Sequence, residues 1–302
     1  MGKASRRRRT GSDNVHETRG RDLPVAPAPF VARPFEGLTG EADWVAIREV
    51  VPAATATVTF ADGAVAAESP QIATVATVLP YTWSGLRRTD GAVMVALQSG
   101  STTGDASRDV AQVLLATAAA QAGTPLPSTP LATAATPRLQ DVLDRAAPFE
   151  VTVHEGFDFW VPDTGELDEA GQQSLEQANA AAIPTTKLGS APAAYWCRVG
   201  ERAYLRWVLP HDEDAATDAL ARLLAGSATS LGVGTRLLGA FRACGLLVPV
   251  WDLDPGLEGA DYEEAVAEMV VRLDEALGHA GALSGEERRA RSGLLSRQVT
   301  LR

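Results

Sequence analysis

The stretch from Ile72 to Leu79 is rich in β-branched residues and alternates apolar with polar, the period of a half-buried strand. Trp83 to Arg88 and Ala92 to Leu97 repeat that character on either side of Asp90-Gly91, a strong hairpin signal. The period then changes. Val110, Val113, Leu114 and Thr117 fall at helical spacing after Asp105, and Gly123-Thr124-Pro125 closes the helix. Earlier, Glu41 to Glu49 carries Trp44, Val45 and Ile47 as a short helix, and Val51-Pro52 opens an extended run to Phe60. Pro125 to Pro137 reads as a linker. Leu139, Val142 and Leu143 mark a short helix, Phe149 to Val153 and Phe157 to Val161 two strands, and Leu167 to Ala182 a helix capped by Asp163 or Thr164.

The pattern then recurs. Ile183-Pro184 begins an extended run. Tyr195 to Val199 and Arg202 to Leu209 form a hairpin whose Gly200-Glu201 turn suits type II′. That turn sets Val199 opposite Arg202, Cys197 opposite Tyr204 and Tyr195 opposite Arg206. A helix follows from Asp212 or Asp214, with Ala219, Leu220, Leu223 and Leu224 on its apolar face. Arg236-Leu237 with Phe241 echoes Arg138-Leu139 with Val142-Leu143, and Leu246 to Val250 echoes Phe149 to Val153. Trp251, Asp254 and Gly256 repeat the spacing of Trp160, Asp163 and Gly165, and Tyr262 to Leu277 repeats the helix from Leu167. The helix from Ser284 to Leu295 has no counterpart, and Ser284 with Glu287 fits a capping box.

Self-similarity of this kind points to duplicated architecture. Hairpins followed by helices predict an α+β fold with two similar lobes, each a largely antiparallel sheet with helices after its hairpin. The divisions are a basic, Pro-rich tail over 1–29 expected to be disordered, a first lobe over 30–182, and a second lobe over 183–302 with the extra C-terminal helix.

Composition narrows the function classes. With 45% hydrophobic residues the chain has material for a sizeable core. Its net charge of -11 disfavours general contact of the body with nucleic acid or anionic lipid. No apolar run is long enough for a transmembrane helix, no secretory signal follows the first residues, and the expected compartment is the cytoplasm. The tail opposes the body: Lys3, Arg6, Arg7, Arg8 and Arg9 crowd positive charge into the start of the chain. Such a run binds phosphates, on RNA, a ribosome or an anionic membrane surface.

Candidate chemistry is sparse. His154 and Glu155, with Asp158 nearby, are a candidate acid–base pair. His211 and Asp212 begin an acidic run through Asp214, with Asp218 a turn later. Its place at a helix start makes the acids caps rather than metal ligands, and no metal or cofactor is expected. Cys197 and Cys244 lack metal or redox spacing and read as small core residues. Gly232-Val233-Gly234 lacks the lysine of a phosphate-binding loop. Trp196, Arg206 and Trp207 are candidates for an interaction surface, against the alternative that the large aromatics fill the core.

The opening Met1 to Arg7, the block Pro34 to Trp44 with Val51 to Thr55, the block Tyr195 to Gly200 with Leu205 to Asp214, and the ending Gly293 to Arg302 are similar to a family of actinobacterial proteins carrying a domain of unknown function. The likeness spans essentially the whole chain. Some members are labelled preprotein translocase subunit or topoisomerase. No nucleotide-binding loop and no tyrosine in a DNA-cleaving context supports either label here, and the resemblance brings no catalytic residue with it. The expectation is therefore a non-catalytic adaptor: a tail on a phosphate-rich surface and a body that holds a protein partner. An enzyme with its site between the lobes, built from His154, Glu155, His211 or Asp212, and a structural or oligomer-forming protein stand as alternatives.

Overall fold

The computed structural model describes residues 26–98, 103–162 and 167–296. It is an α+β structure with two sheets. The first comprises β1 (Ala54–Thr59), β2 (Ile72–Ala76), β3 (Gly85–Arg87), β4 (Val93–Ala96), β5 (Thr124–Leu126) and β6 (Val151–Val153), in the order β5-β3-β4-β2-β1-β6. Its pairs are antiparallel except β2 with β4. The second comprises β7 (Thr185–Lys187), β8 (Ala194–Val199), β9 (Arg202–Trp207), β10 (Arg236–Ala243) and β11 (Leu246–Leu253), in the order β10-β11-β9-β8-β7 and antiparallel throughout.

Period-two patterning decides which face of the first sheet is dry. Along β1, Ala54, Ala56 and Val58 turn inward while Thr55, Thr57 and Thr59 face outward. The inner face packs on α1 (Glu41–Glu49) and α2 (Ala106–Ala119), which contribute Trp44, Val45, Ile47, Val110, Val113 and Leu114. Trp44 lies between the rings of Phe35 and Phe149, at centroid distances of 5.7 and 4.3 Å. This core continues past residue 182: Tyr195, Val208, Leu246 and Val248 of the second half belong to it. The helix-covered face of the second sheet forms another core around Trp196, Trp207 and Trp251, closed by α5 (Glu213–Ala225) and α6 (Glu263–Leu277). The last helix, α7 (Gly285–Ser296), lies on α5.

The turn chemistry follows the residues. Gly200 takes a φ of 60° and Glu201 does not turn left-handed, as a type II′ turn requires. The register sets Val199 against Arg202, Cys197 against Tyr204 and Tyr195 against Arg206, as expected. At Asp90-Gly91 the loop is longer, with Arg88 N–H donating to Ala92 and Gly91 at a φ of 88°. Asp105 and Asp212 cap α2 and α5 through Ser107 and Ala215 N–H, at 3.1 and 3.0 Å. The Ser284–Glu287 capping box is present, at 2.6 and 3.2 Å.

Elsewhere the structure corrects the sequence. Both halves contain a hairpin followed by a helix, β3–β4 with α2 and β8–β9 with α5. Beyond that unit the placements differ. Arg138-Leu139 opens α3 (Leu139–Val142), whereas Arg236-Leu237 opens strand β10. β6 is an edge strand on β1, whereas β11 lies beside β9. Trp160 sits in a 3-10 turn and Trp251 inside a strand; Asp163 and Gly165 are outside the described residues. The segment 157–161 is a turn because it is pulled from two sides: Trp160 Nε1 donates to Val78 O at 3.0 Å, and Phe157 N–H to Asn179 Oδ1 at 2.6 Å. Asp168 caps α4 (Glu169–Ala180), its side chain accepting from Gly171 N–H at 2.8 Å; the expected caps Asp163 and Thr164 lie outside the described residues. The linker 125–137 also contributes to structure, since Thr124 to Leu126 pairs with β3.

Candidate functional site

The connection from β2 to β3 has to pass over β4, because β2 and β3 flank it. Pro80 fixes the start of that crossing. Tyr81 and Thr82 then both adopt left-handed backbone, at φ of 53° and 58°. That conformation is costly for a tyrosine and more so for a β-branched threonine. Its result is that Tyr81 is held 77% exposed, its ring 5.2 Å from that of Trp83.

Behind these two rings lies a groove of about 290 Å³ on the outer face of the first sheet. Leu86 of β3 and Trp160 line it. The opposite wall is one face of the α4 segment: Leu167, Gly171, Ser174 and Leu175 recur at helical spacing. α4 itself is lightly held, with Leu175 its buried residue. Arg88 and Thr89 also line the groove. The Arg88 charge is already matched: Nη2 and Nε donate to Asp90 at 2.6 and 3.0 Å, and Nη1 to Phe159 O at 3.1 Å. The same guanidinium holds the Asp90 carboxyl below the usual carboxylate range. The described lining of the groove is therefore mainly apolar, aromatic at its lip and electrically neutral. Its described lining contains no His, Cys or carboxylate. The arrangement can seat an apolar or aromatic group, and its described residues offer no acid–base pair to act on one.

The residues singled out from the sequence are placed elsewhere. His154 lies on the outer face of the first sheet, Nε2 2.8 Å from Thr55 Oγ1 and its ring 4.9 Å from that of Phe159. Burial lowers its pKa. Glu155 is exposed in the following turn. His211 and Asp212 precede α5, where Asp212 is a cap. No hydrogen bond or ion pair among the described residues joins these groups to His154 or Glu155, so they do not form one constellation. Asp214 and Asp218 hold Arg291 of α7, each at 2.6 Å. That pairing explains the acidic run without a metal, and the described residues contain no cluster suited to hold one.

Trp196 and Trp207 are 3% exposed and belong to the core of the second half, so they do not present a surface. Arg206 faces the other way, toward the seam, where Nη1 donates to Val50 O at 3.3 Å. Cys197 is buried and Cys244 half-buried, both with free thiols. Burial raises both thiol pKa values, Cys244 to about 12, which suits packing rather than reactivity. Lys3 and Arg6 to Arg9 lie outside the described residues. Among the described residues no helix is long and apolar enough to cross a membrane.

Sequence reading missed Tyr81 and Thr82. The available signal was Pro80-Tyr81-Thr82-Trp83, two aromatics in a loop directly after a proline. Trp83 and Trp160 stood out only as aromatics at strand ends.

Residues 34–302 match the model of a family of unknown function (DUF5926), and the chain belongs to that family. No curated protein and no solved structure matches it.

Proposed function

We propose that the protein works by binding: the groove beside Tyr81 and Trp83 takes an apolar or aromatic segment of a protein partner, and the basic tail binds a phosphate-bearing surface. The observation that carries this reading is the left-handed pair Tyr81-Thr82. Strained backbone is uncommon, persists where the surroundings enforce it, and clusters at ligand sites. Here the strain keeps a large aromatic in water rather than in the core, next to a second ring and an apolar groove. Aromatic residues at the edge of such a groove are typical anchors for a partner. The neutral described lining favours apolar side chains over charged ones. Five cations crowded at the start of a chain whose overall net charge is -11 support the tail's part.

Panning a displayed peptide library on the full chain tests the groove. Peptides rich in aromatic and aliphatic residues should be enriched on the wild type. Their binding should fall at least about tenfold on Tyr81→Ser and on Ser174→Arg, which fills the groove from an exposed helix position. Peptides that bind both variants as well as the wild type would remove the groove from the proposal.

A further inference from the structure

Residues 26–31 and 127–133 form a surface ribbon with no charged residue: Ala-Pro-Ala-Pro-Phe-Val and Pro-Ser-Thr-Pro-Leu-Ala-Thr. Pro27 bridges Thr133 in antiparallel sense, and Ala28 N–H donates to Ala132 O at 2.8 Å. Ala28 and Ala132 point inward and are buried, whereas Phe30 and Leu131 point out, 81% and 57% exposed. The backbone under Phe30 is fixed. Val31 N–H donates to Gly104 O at 2.8 Å, and a side chain at position 104 would meet Phe30 Cα at 2.6 Å. Phe30 is thus displayed by a tightly packed backbone rather than left over at a loose end.

The ribbon stands where residues 1–25, with Lys3 and Arg6 to Arg9, join the body. We infer that Phe30 and Leu131 insert into the interface of an anionic phospholipid bilayer that the basic tail approaches first. This rests on the phosphate-binding reading of the tail and names its surface. The tail's charge complements an anionic leaflet. The charge-free ribbon lets the acidic body come close without bringing like charge against the lipid. Its prolines carry no N–H, so entering the headgroup region strands fewer backbone donors. Neither a cationic segment nor a small apolar patch alone anchors well, while the two together do. A nucleic acid would use the same cations but has little use for an exposed leucine.

The experiment is co-sedimentation of the full chain at low salt with vesicles of phosphatidylcholine alone and of phosphatidylcholine with phosphatidylserine. Binding to poly(U) RNA is measured in parallel. Phe30→Ser and Leu131→Ser alter exposed side chains, and unchanged thermal unfolding confirms that both variants fold. Binding to the phosphatidylserine vesicles should fall roughly tenfold in each serine variant and be lost without residues 2–22, with poly(U) much weaker throughout. Undiminished vesicle binding by the serine variants overturns the role of the ribbon and leaves the tail's. Binding to poly(U) without binding to vesicles overturns the membrane and leaves the phosphate-binding reading. Binding to neither overturns both.

Discussion

At the scale of single residues, strain and burial set the measurable effects. A left-handed conformation costs a non-glycine residue about 1–2 kcal/mol, and glycine gives back about 0.5–1 kcal/mol through its freer unfolded chain. Thr82→Gly should therefore stabilise the protein by about 0.5–1 kcal/mol in urea unfolding, while flattening the turn that displays Tyr81. A destabilised variant would mean that Thr82 supplies more than it costs there, through contacts such as its hydroxyl on Tyr81 O at 2.6 Å. His154 gives a pH signature. Burial holds its folded pKa below the ordinary 6.5, so the neutral ring is the form that packs on Thr55 and Phe159. The unfolded chain takes up the proton first as pH falls. The contribution is thus fully present above about pH 6.5 and is lost progressively as pH drops through and below it. Plotting unfolding stability against pH for wild type and His154→Gln should give a shallower decline in the variant over that window. Parallel curves would show that the ring stays solvated.

At the scale of elements, the acidic start of α5 does two jobs. Asp212 caps the helix, and Asp214 with Asp218 grips Arg291 of α7. Asp218 is the less exposed partner, 35% against 80% for Asp214, so less of its interaction is screened. Asp218→Asn should cost about 1 kcal/mol in urea unfolding and Asp214→Asn only a few tenths. Equal costs would place the two carboxylates in the same solvent. These elements also show what a sequence discloses. Caps, helical faces and the β8–β9 register depend on neighbours a few residues away, so Asp105, Ser284 and Gly200 were legible. The 157–161 turn was not, because its partners Val78 and Asn179 are distant in the chain. The place of β10 was hidden similarly, since strand pairing rather than its own pattern separates it from the helical segment it resembles. The groove was the least legible part. Its lining comes from the β2–β3 connection, β3, the 160–162 segment and α4, and what marks it is a backbone angle that no residue type announces. Trp196 and Trp207 misled for the converse reason: large aromatics on a strand look alike until both faces of the sheet are known to be covered.

At the scale of the molecule, the question is whether a boundary near residue 182 is also a thermodynamic one. The seam argues for coupling. Asp43 of α1 is 9% exposed and accepts from Tyr195 Oη at 2.7 Å and from Lys187 Nζ at 3.0 Å, both from the second half. Burial and the neighbouring Asp43 charge raise the Tyr195 pKa far above the ordinary phenol value, so the hydroxyl stays a donor. Cutting the chain at 182 would leave Asp43 without either donor, and would also strip Tyr195, Val208, Leu246 and Val248 from the core around α1. An unpaired buried carboxylate and an opened core each cost several kcal/mol, comparable to the whole stability of an ordinary domain. The intact chain should therefore unfold in urea as one cooperative transition, coincident by tryptophan fluorescence and circular dichroism, even though its tryptophans lie in both halves. Tyr195→Phe should lower the midpoint of that single transition by an amount equivalent to about 1–2 kcal/mol without splitting it. Residues 34–182 and 183–302 expressed separately should not show native-like cooperative unfolding. Two resolved transitions, with Tyr195→Phe shifting only the one that belongs to the second half, would mean that the seam is a contact between independent domains, and that the shared core contributes less than its burial implies.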